Sequence, residues 1–229
     1  MLELALAFAL FIALHSIPAM PRIRRRLVAA LGHRTYLIVY SLMSIAALGW
    51  LFTAALAMDY IELWAPAPWQ AWVTLVAAPL GLFLVLAGLF SRNPFSISLR
   101  TGQGESGAIV AITRHPVLWG FLLWALGHLV ANGDLRSLVL FGGFAAFSAG
   151  GLFMLDRRAR KAVGAAWPVA ARSSAVIPFK SILAGNAKFR ADTAMAIAAI
   201  CTTLIVIWLM NAGGHAFLFG ADPWWMAFQ

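Results

Sequence analysis

Six stretches of this chain, at about residues 2–17, 36–58, 69–90, 116–131, 135–155 and 193–210, are long, apolar and nearly free of charge. About 20 such residues make a helix that crosses the hydrocarbon core of a bilayer. Within that core every backbone N–H and C=O must be satisfied inside the protein, which leaves helices and closed barrels. A barrel strand alternates apolar and polar residues with a period of two, and these stretches do not. The expected class is therefore an all-α, polytopic membrane helix bundle with about six transmembrane helices. Composition agrees: 62% of the 229 residues are hydrophobic, against about half in a soluble domain, and mean hydropathy is +0.86.

The charges orient the bundle. There are 17 Lys and Arg against 8 Asp and Glu. In a soluble protein that excess would suggest nucleic acid; here the basic residues lie in the connections, so the expected partner is the lipid bilayer and not nucleic acid. Glu3 precedes the first stretch and Arg22, Arg24, Arg25 and Arg26 follow it, which sets the N-terminus outside and reads as a retained span, not a cleaved leader. On that arrangement all the basic residues except Arg136 fall inside, five of the eight acids fall outside, and both termini face the outer, periplasmic side.

Local signals fill in the connections. Pro18 and Pro21 are expected to end the first helix. Leu27 to Leu31 reads as a short interfacial helix that Gly32-His33-Arg34 breaks, and Pro79 marks a kink. Ser91 to Thr113 reads as a partly ordered inner loop against the bundle mouth. Its glycines, Gly102, Gly104 and Gly107, lack the following Lys-Ser/Thr of a phosphate-binding loop. Asn132-Gly133-Asp134 is expected to be a tight outer turn, Gly142-Gly143 and Gly150-Gly151 to permit close helix approach, and 156–190 to be a long inner segment. Trp224-Trp225 suits an outer aromatic belt. The whole reads as one membrane domain, 1–229, with a core over 1–180 and an extra span and tail over 190–229.

Chemistry falls to the histidines. No pair of carboxylates lies within a span, and no nucleophile–base–acid set is visible, which argues against a hydrolase. The single cysteine, Cys201, forms no disulfide within the chain and reads as packing. Of the five histidines, His15 and His128 lie within spans, where a titratable side chain is costly and marks a site. His115 stands at the inner end of the fourth span, His33 precedes the second, and His215 lies in the tail. Neutral imidazole ligates haem iron and zinc, and two histidines from different helices suffice for a b-type haem. No Cys-x-x-Cys-His occurs, so covalent haem attachment is excluded. The competing reading gives each histidine a backbone carbonyl or a water and no further role. His115 and His128 are 13 residues apart, roughly 20 Å along a helix, too far to share an ion. Depth counting sets His15 nearer to His115, which leaves the pairing open.

Several motifs resemble a known family. His15-Ser16-Ile17-Pro18 with the arginines after it, Gly32-His33-Arg34-Thr35-Tyr36, and above all Thr113-Arg114-His115-Pro116, Trp119-Gly120-Phe121, Trp124-Ala125, His128-Leu129 and Asn132-Gly133-Asp134 resemble the NnrU family, from the first span to about Pro178-Phe179. That family is named for bacterial nitrite and nitric oxide reductase systems. It is similar to 15-cis-zeta-carotene isomerase, a haem b membrane enzyme that turns a cis double bond to trans. The resemblance implies a bacterial inner-membrane protein with haem b as cofactor and His15 and His128 as its axial metal ligands. It places Trp119, Trp124 and Asn132 at the cofactor, and gives Arg114 and His115 a catalytic role at a haem propionate or a hydrophobic substrate. The isomerase has a cysteine three residues before its second ligand; this chain has Ala125, so a cysteine exchange on the iron is not carried over.

Arg114-His115-Pro116 with Trp119-Gly120 is also similar, more distantly, to the start of the membrane methyltransferases that act on isoprenylcysteine and phospholipids. Their later motifs correspond to Asp156-Arg157 and to Val163 through Trp167, where the paired acid and the tyrosine are lost. That resemblance implies S-adenosylmethionine at the inner mouth. A third expectation is a non-enzymatic assembly factor partnered with a reductase.

Overall fold

The structure is a computed structural model that describes residues 1–17, 20–100, 102 and 104–229, with only the backbone of Pro21. Among the described residues the secondary structure is helical, apart from an isolated bridge between Glu62 and Asp134. In chain order the helices are α1 (Leu2–Ser16), α2 (Pro21–Leu31), α3 (His33–Leu56), α4 (Pro68–Phe90), α5 (Ile109–Ile112), α6 (Pro116–Ala131), α7 (Leu135–Val163), α8 (Trp167–Ala170), α9 (Lys180–Leu183), α10 (Thr193–Asn211), α11 (Gly214–Phe219) and α12 (Pro223–Ala227). Helices α3, α4, α7 and α10 are long and apolar enough to cross a membrane; α1 and α6 are shorter apolar helices. The chain is a polytopic helical membrane protein. It forms two compact units, one of Met1–Trp64 with Asp134–Leu140 and one of Ala65–Gly133 with Phe141–Gln229.

In the first unit α1 packs antiparallel on α3. Trp50 of α3 donates its indole N–H to Glu3 in the first turn of α1 (3.1 Å), while His15 near the other end meets Tyr40 edge-on at 6.2 Å. Leu4, Ala7 and Phe11 of α1 and Ala47, Leu51, Ala54 and Ala55 of α3 are buried. The one basic residue expected outside has a local explanation. Arg136 donates to the carbonyls of Leu56 and Met58 (3.4 Å each), which the end of α3 leaves unpaired. It also pairs with Asp134 at 3.3 Å. A cation at a helix C-terminus is favoured by the helix dipole, which gives Arg136 a local role at the end of α3.

The second unit is built on α4 against α6, with α10 and α12 also on α4. Its core gathers Ala87, Phe95, Ala108, Ile109, Val110, Ile112, Ala159, Met195 and Ala198. The C-terminal helix α10 begins at a capped turn: Asp192 accepts from the Met195 N–H at 2.9 Å and from the Ala108 N–H at 2.7 Å.

Four boundaries depart from expectation. The interfacial helix is the whole of Pro21–Leu31, because Pro21 opens it at the first turn, where proline is favoured; it starts a helix and does not end one. Pro18 lies outside the described residues. Gly32 alone breaks the chain, at φ +76, and His33 already belongs to α3. The inner loop contains a buried helical turn, Ile109–Ile112, and Ser91, Asn93 and Phe95 are buried with it; Thr101 and Gln103 lie outside the described residues. Helix α7 runs past Leu155 to Val163, since its hydrogen-bonded ladder continues after the apolar run gives way to charge.

Candidate functional site

Helix α6 carries most of the candidate residues, and glycines set its position against α4. A methyl carbon added at Gly120 would stand 2.4 Å from the Gly81 carbonyl oxygen and 2.8 Å from Val85 Cγ2; one at Gly81 would stand 2.5 Å from the Gly120 oxygen. Further along, Gly88 faces Pro116 and Val117, and Gly127 faces Ala77. Thr74 Oγ1 donates to the Gly127 carbonyl at 2.7 Å. This is backbone-on-backbone packing of the kind small residues permit between membrane helices. Of the glycines expected to serve it, Gly151 meets Leu118 at 3.2 Å and Gly150 meets nothing.

The entry to α6 is a buried polar knot. Arg114 donates from Nη1 to Asp156, from Nε to Ser174 Oγ (3.1 Å), and from Nη2 to the carbonyls of Ser174 (2.7 Å) and Ala171 (3.3 Å). Its guanidinium lies over the Trp167 ring at 4.7 Å and the Phe95 ring at 5.8 Å. The backbone around it is stitched to the strap 174–179. Arg114 N–H donates to Ala175 O and Phe179 N–H to Ile112 O, both at 2.7 Å. Thr113 Oγ1 and Trp119 Nε1 both donate to Val176 O, at 2.9 and 2.8 Å. Asn93 Nδ2 donates to Arg114 O at 2.9 Å.

His115 sits inside this knot, fully buried. Among the described residues neither ring nitrogen has a hydrogen-bond partner; Nε2 is 3.6 Å from Asp156 Oδ1, close enough for charge to act but long for a hydrogen bond. Burial holds the imidazole below its ordinary value, the Asp156 carboxylate pulls the other way, and Arg114 adds to the lowering. The sign follows. Below about pH 6.5 the unfolded chain takes up a proton that folded His115 refuses, so stability falls as pH drops from there, by at most about 1.4 kcal/mol per pH unit. Melting curves from pH 7.5 to 5.0 should show a shallower slope in His115→Gln; an unchanged slope would remove His115 from the acid response.

The far end of α6 holds the second group. His128 Nδ1 lies 2.8 Å from the Trp124 carbonyl. A carbonyl can only accept, so Nδ1 carries the proton, and in the neutral ring Nε2 is the basic nitrogen. The ring stacks on Phe141 (5.0 Å, 25°) and tilts against Trp124 (4.8 Å). Asn132 Nδ2 donates to the His128 carbonyl at 2.8 Å, capping the helix. In the first unit His15 has the same hydrogen-bond arrangement: Nδ1 lies 2.8 Å from the Phe11 carbonyl, four residues back, and the ring tilts against Phe11 at 4.2 Å.

The candidates thus divide. Arg114, His115 and Trp119 belong to the knot, where the Arg114 and Trp119 donors are spent on the protein. Trp124, His128 and Asn132 gather at the other end of α6. Among the described residues no group of three or more His, Cys, Asp or Glu side chains comes together as a metal site. His215 holds the Ala221 carbonyl at 2.8 Å, and His33 is exposed in the first turn of α3. Sequence reasoning named Asp156 only within the methyltransferase-like resemblance, and did not name Ser174. The signal for Asp156 was its being the one acid at the basic end of α7; Ser174 gave none.

Comparison with known proteins adds to this geometry. A stretch of 88 residues is 32% identical to the chloroplastic 15-cis-zeta-carotene isomerase of Zea mays. It covers 38% of this chain and 24% of that protein, so the chain matches about a quarter of its relative's length. No solved structure matches. The family model described as NnrU protein matches residues 3–223, nearly the whole chain and both ends of α6 with it; the chain belongs to the NnrU family.

Proposed function

We propose that this protein is a six-span haem b-binding protein of a bacterial inner membrane, with both termini on the outer side. In this reading His128 and His15 would be the residues that hold the haem. The observation that carries the proposal is the shared orientation of those two histidines. Each donates its Nδ1 proton to the carbonyl four residues back, which is how metal-bound histidines are held and their basic nitrogen aimed. Bound haem b would supply an iron centre that exchanges electrons and coordinates ligands. The chain's own work is to hold the His128 ring against Trp124 and Phe141 and to keep its carbonyl capped by Asn132. The Zea mays relative's name supports a cis–trans isomerisation of a hydrophobic substrate, and the family's name supports a role in nitrite or nitric oxide respiration.

The detergent-purified protein should show a sharp Soret band and, after dithionite, split α and β bands. His128→Ala should lose the bands and His115→Ala should keep them. A protein that stays colourless with added haemin sinks the reading.

One observation favours a second reading. Arg114, His115, Asp156 and Trp167, which the methyltransferase-like resemblance requires, do converge in the knot. S-adenosylmethionine should then raise the melting temperature of the wild type and not of Asp156→Asn.

A further inference from the structure

Helix α2 carries arginines at 22, 24, 25 and 26, all exposed, and no acid. Residues 22, 25 and 26 are spaced i, i+3 and i+4, so they share one face. With Met20 and Ile23 they line a hollow of about 630 Å³. Three like charges on one face repel one another. Glu3 is engaged by Trp50 at the opposite end of α1. Asp59, Glu62 and Asp134 lie beyond the far end of α3 or at the start of α7. Among the described residues no carboxylate pairs with the α2 arginines.

Position supplies the occupant. α2 lies between apolar helix α1 and candidate membrane span α3, with Gly32 alone separating it from α3. A helix so tethered stays at the membrane surface. It is amphipathic as well: Ile23, Leu27 and Leu31 recur at i, i+4 and i+8, an apolar stripe that borders the arginine face at Ile23. A helix with an arginine face and an apolar face, held at that level, is built to lie among lipid headgroups.

We propose that Arg22, Arg25 and Arg26 form a headgroup site for anionic phospholipid on α2. Guanidinium groups match phosphate oxygens in geometry and charge, and the hollow lets three of them converge on one phosphate. Arg24, on the other flank of the helix, lies outside the site.

The test titrates phosphatidylglycerol into the full-length protein in neutral detergent and follows the melting temperature. A saturable rise is expected with phosphatidylglycerol and none with phosphatidylcholine. Each of Arg22→Gln, Arg25→Gln and Arg26→Gln should weaken the apparent affinity about fivefold, and the triple variant roughly 100-fold. Arg24→Gln should stay near wild type. The single variants keep the test decisive if the triple variant does not fold. Equal response to the two lipids overturns the proposal. An Arg24→Gln loss as large as that of Arg25→Gln reduces it to diffuse surface attraction and overturns the site. The same rise with inorganic phosphate alone makes the hollow an ion site and overturns the lipid assignment.

Discussion

Arg114→Ala should destabilise the protein by about 3–5 kcal/mol, the range for stripping the partner from a buried charge. The Arg114 side chain is 8% exposed, and its removal leaves Asp156 without its cation. It also frees the Ala171 and Ser174 carbonyls and the Ser174 hydroxyl inside the knot. The stacking on Trp167 goes with it. Arg114→Lys should recover little of the loss, because an ammonium cannot reproduce the planar fork that reaches four acceptors. Arg114→Met combined with Asp156→Leu should cost less than Arg114→Ala alone, since an apolar pair leaves no stranded carboxylate. Chemical or thermal unfolding in one detergent would measure all three. A loss below about 1 kcal/mol for Arg114→Ala would mean that the knot is not a stabilising element.

The second large effect is at the α4–α6 seam. Gly120→Ala should cost about 1–3 kcal/mol, the range for overpacking a well-fitted contact. The obstacle to its new methyl is the Gly81 carbonyl at 2.4 Å, backbone that cannot swing away as a side chain does. Gly150→Ala is the matched control on α7, with nothing within 4 Å of the added carbon; it should be neutral or gain up to about 1 kcal/mol from helix propensity. Equal melting temperatures for the two variants would remove the seam from the account of how α6 is placed.

Much of this was legible in the sequence, for physical reasons that also mark where legibility stops. Apolar runs report helices faithfully, because lipid leaves the backbone no alternative; α4, α6 and α10 fall within a residue or two of the stretches read. The helix α7 overran its apolar run because hydropathy reports solvent, whereas a helix ends where its hydrogen bonds end. The buried turn α5 was hidden because four residues are too few to show a period. Candidate histidines could be named from burial cost alone. Their division between the knot and the far end of α6 followed from counting residues along one helix. What surrounds Arg114 could not be read: Ala171, Ser174 and Val176 contribute backbone carbonyls, and any residue carries one of those. Likewise the pairing of Gly81 with Gly120 depends on which helices are neighbours, and a glycine looks the same whether it faces a helix or, as Gly150 does, open space.

The strap that completes the knot has a consequence in time. Arg114 emerges from the ribosome 42 residues before Asp156 and 60 before Ser174. At about 5–20 residues per second, the growing chain holds an unpartnered cation at the mouth of α6 for roughly 2–8 s before its counter-charge exists and for roughly 3–12 s before the strap can close. Through that interval Arg114 lacks the Asp156 and Ser174 partners that the folded chain gives it.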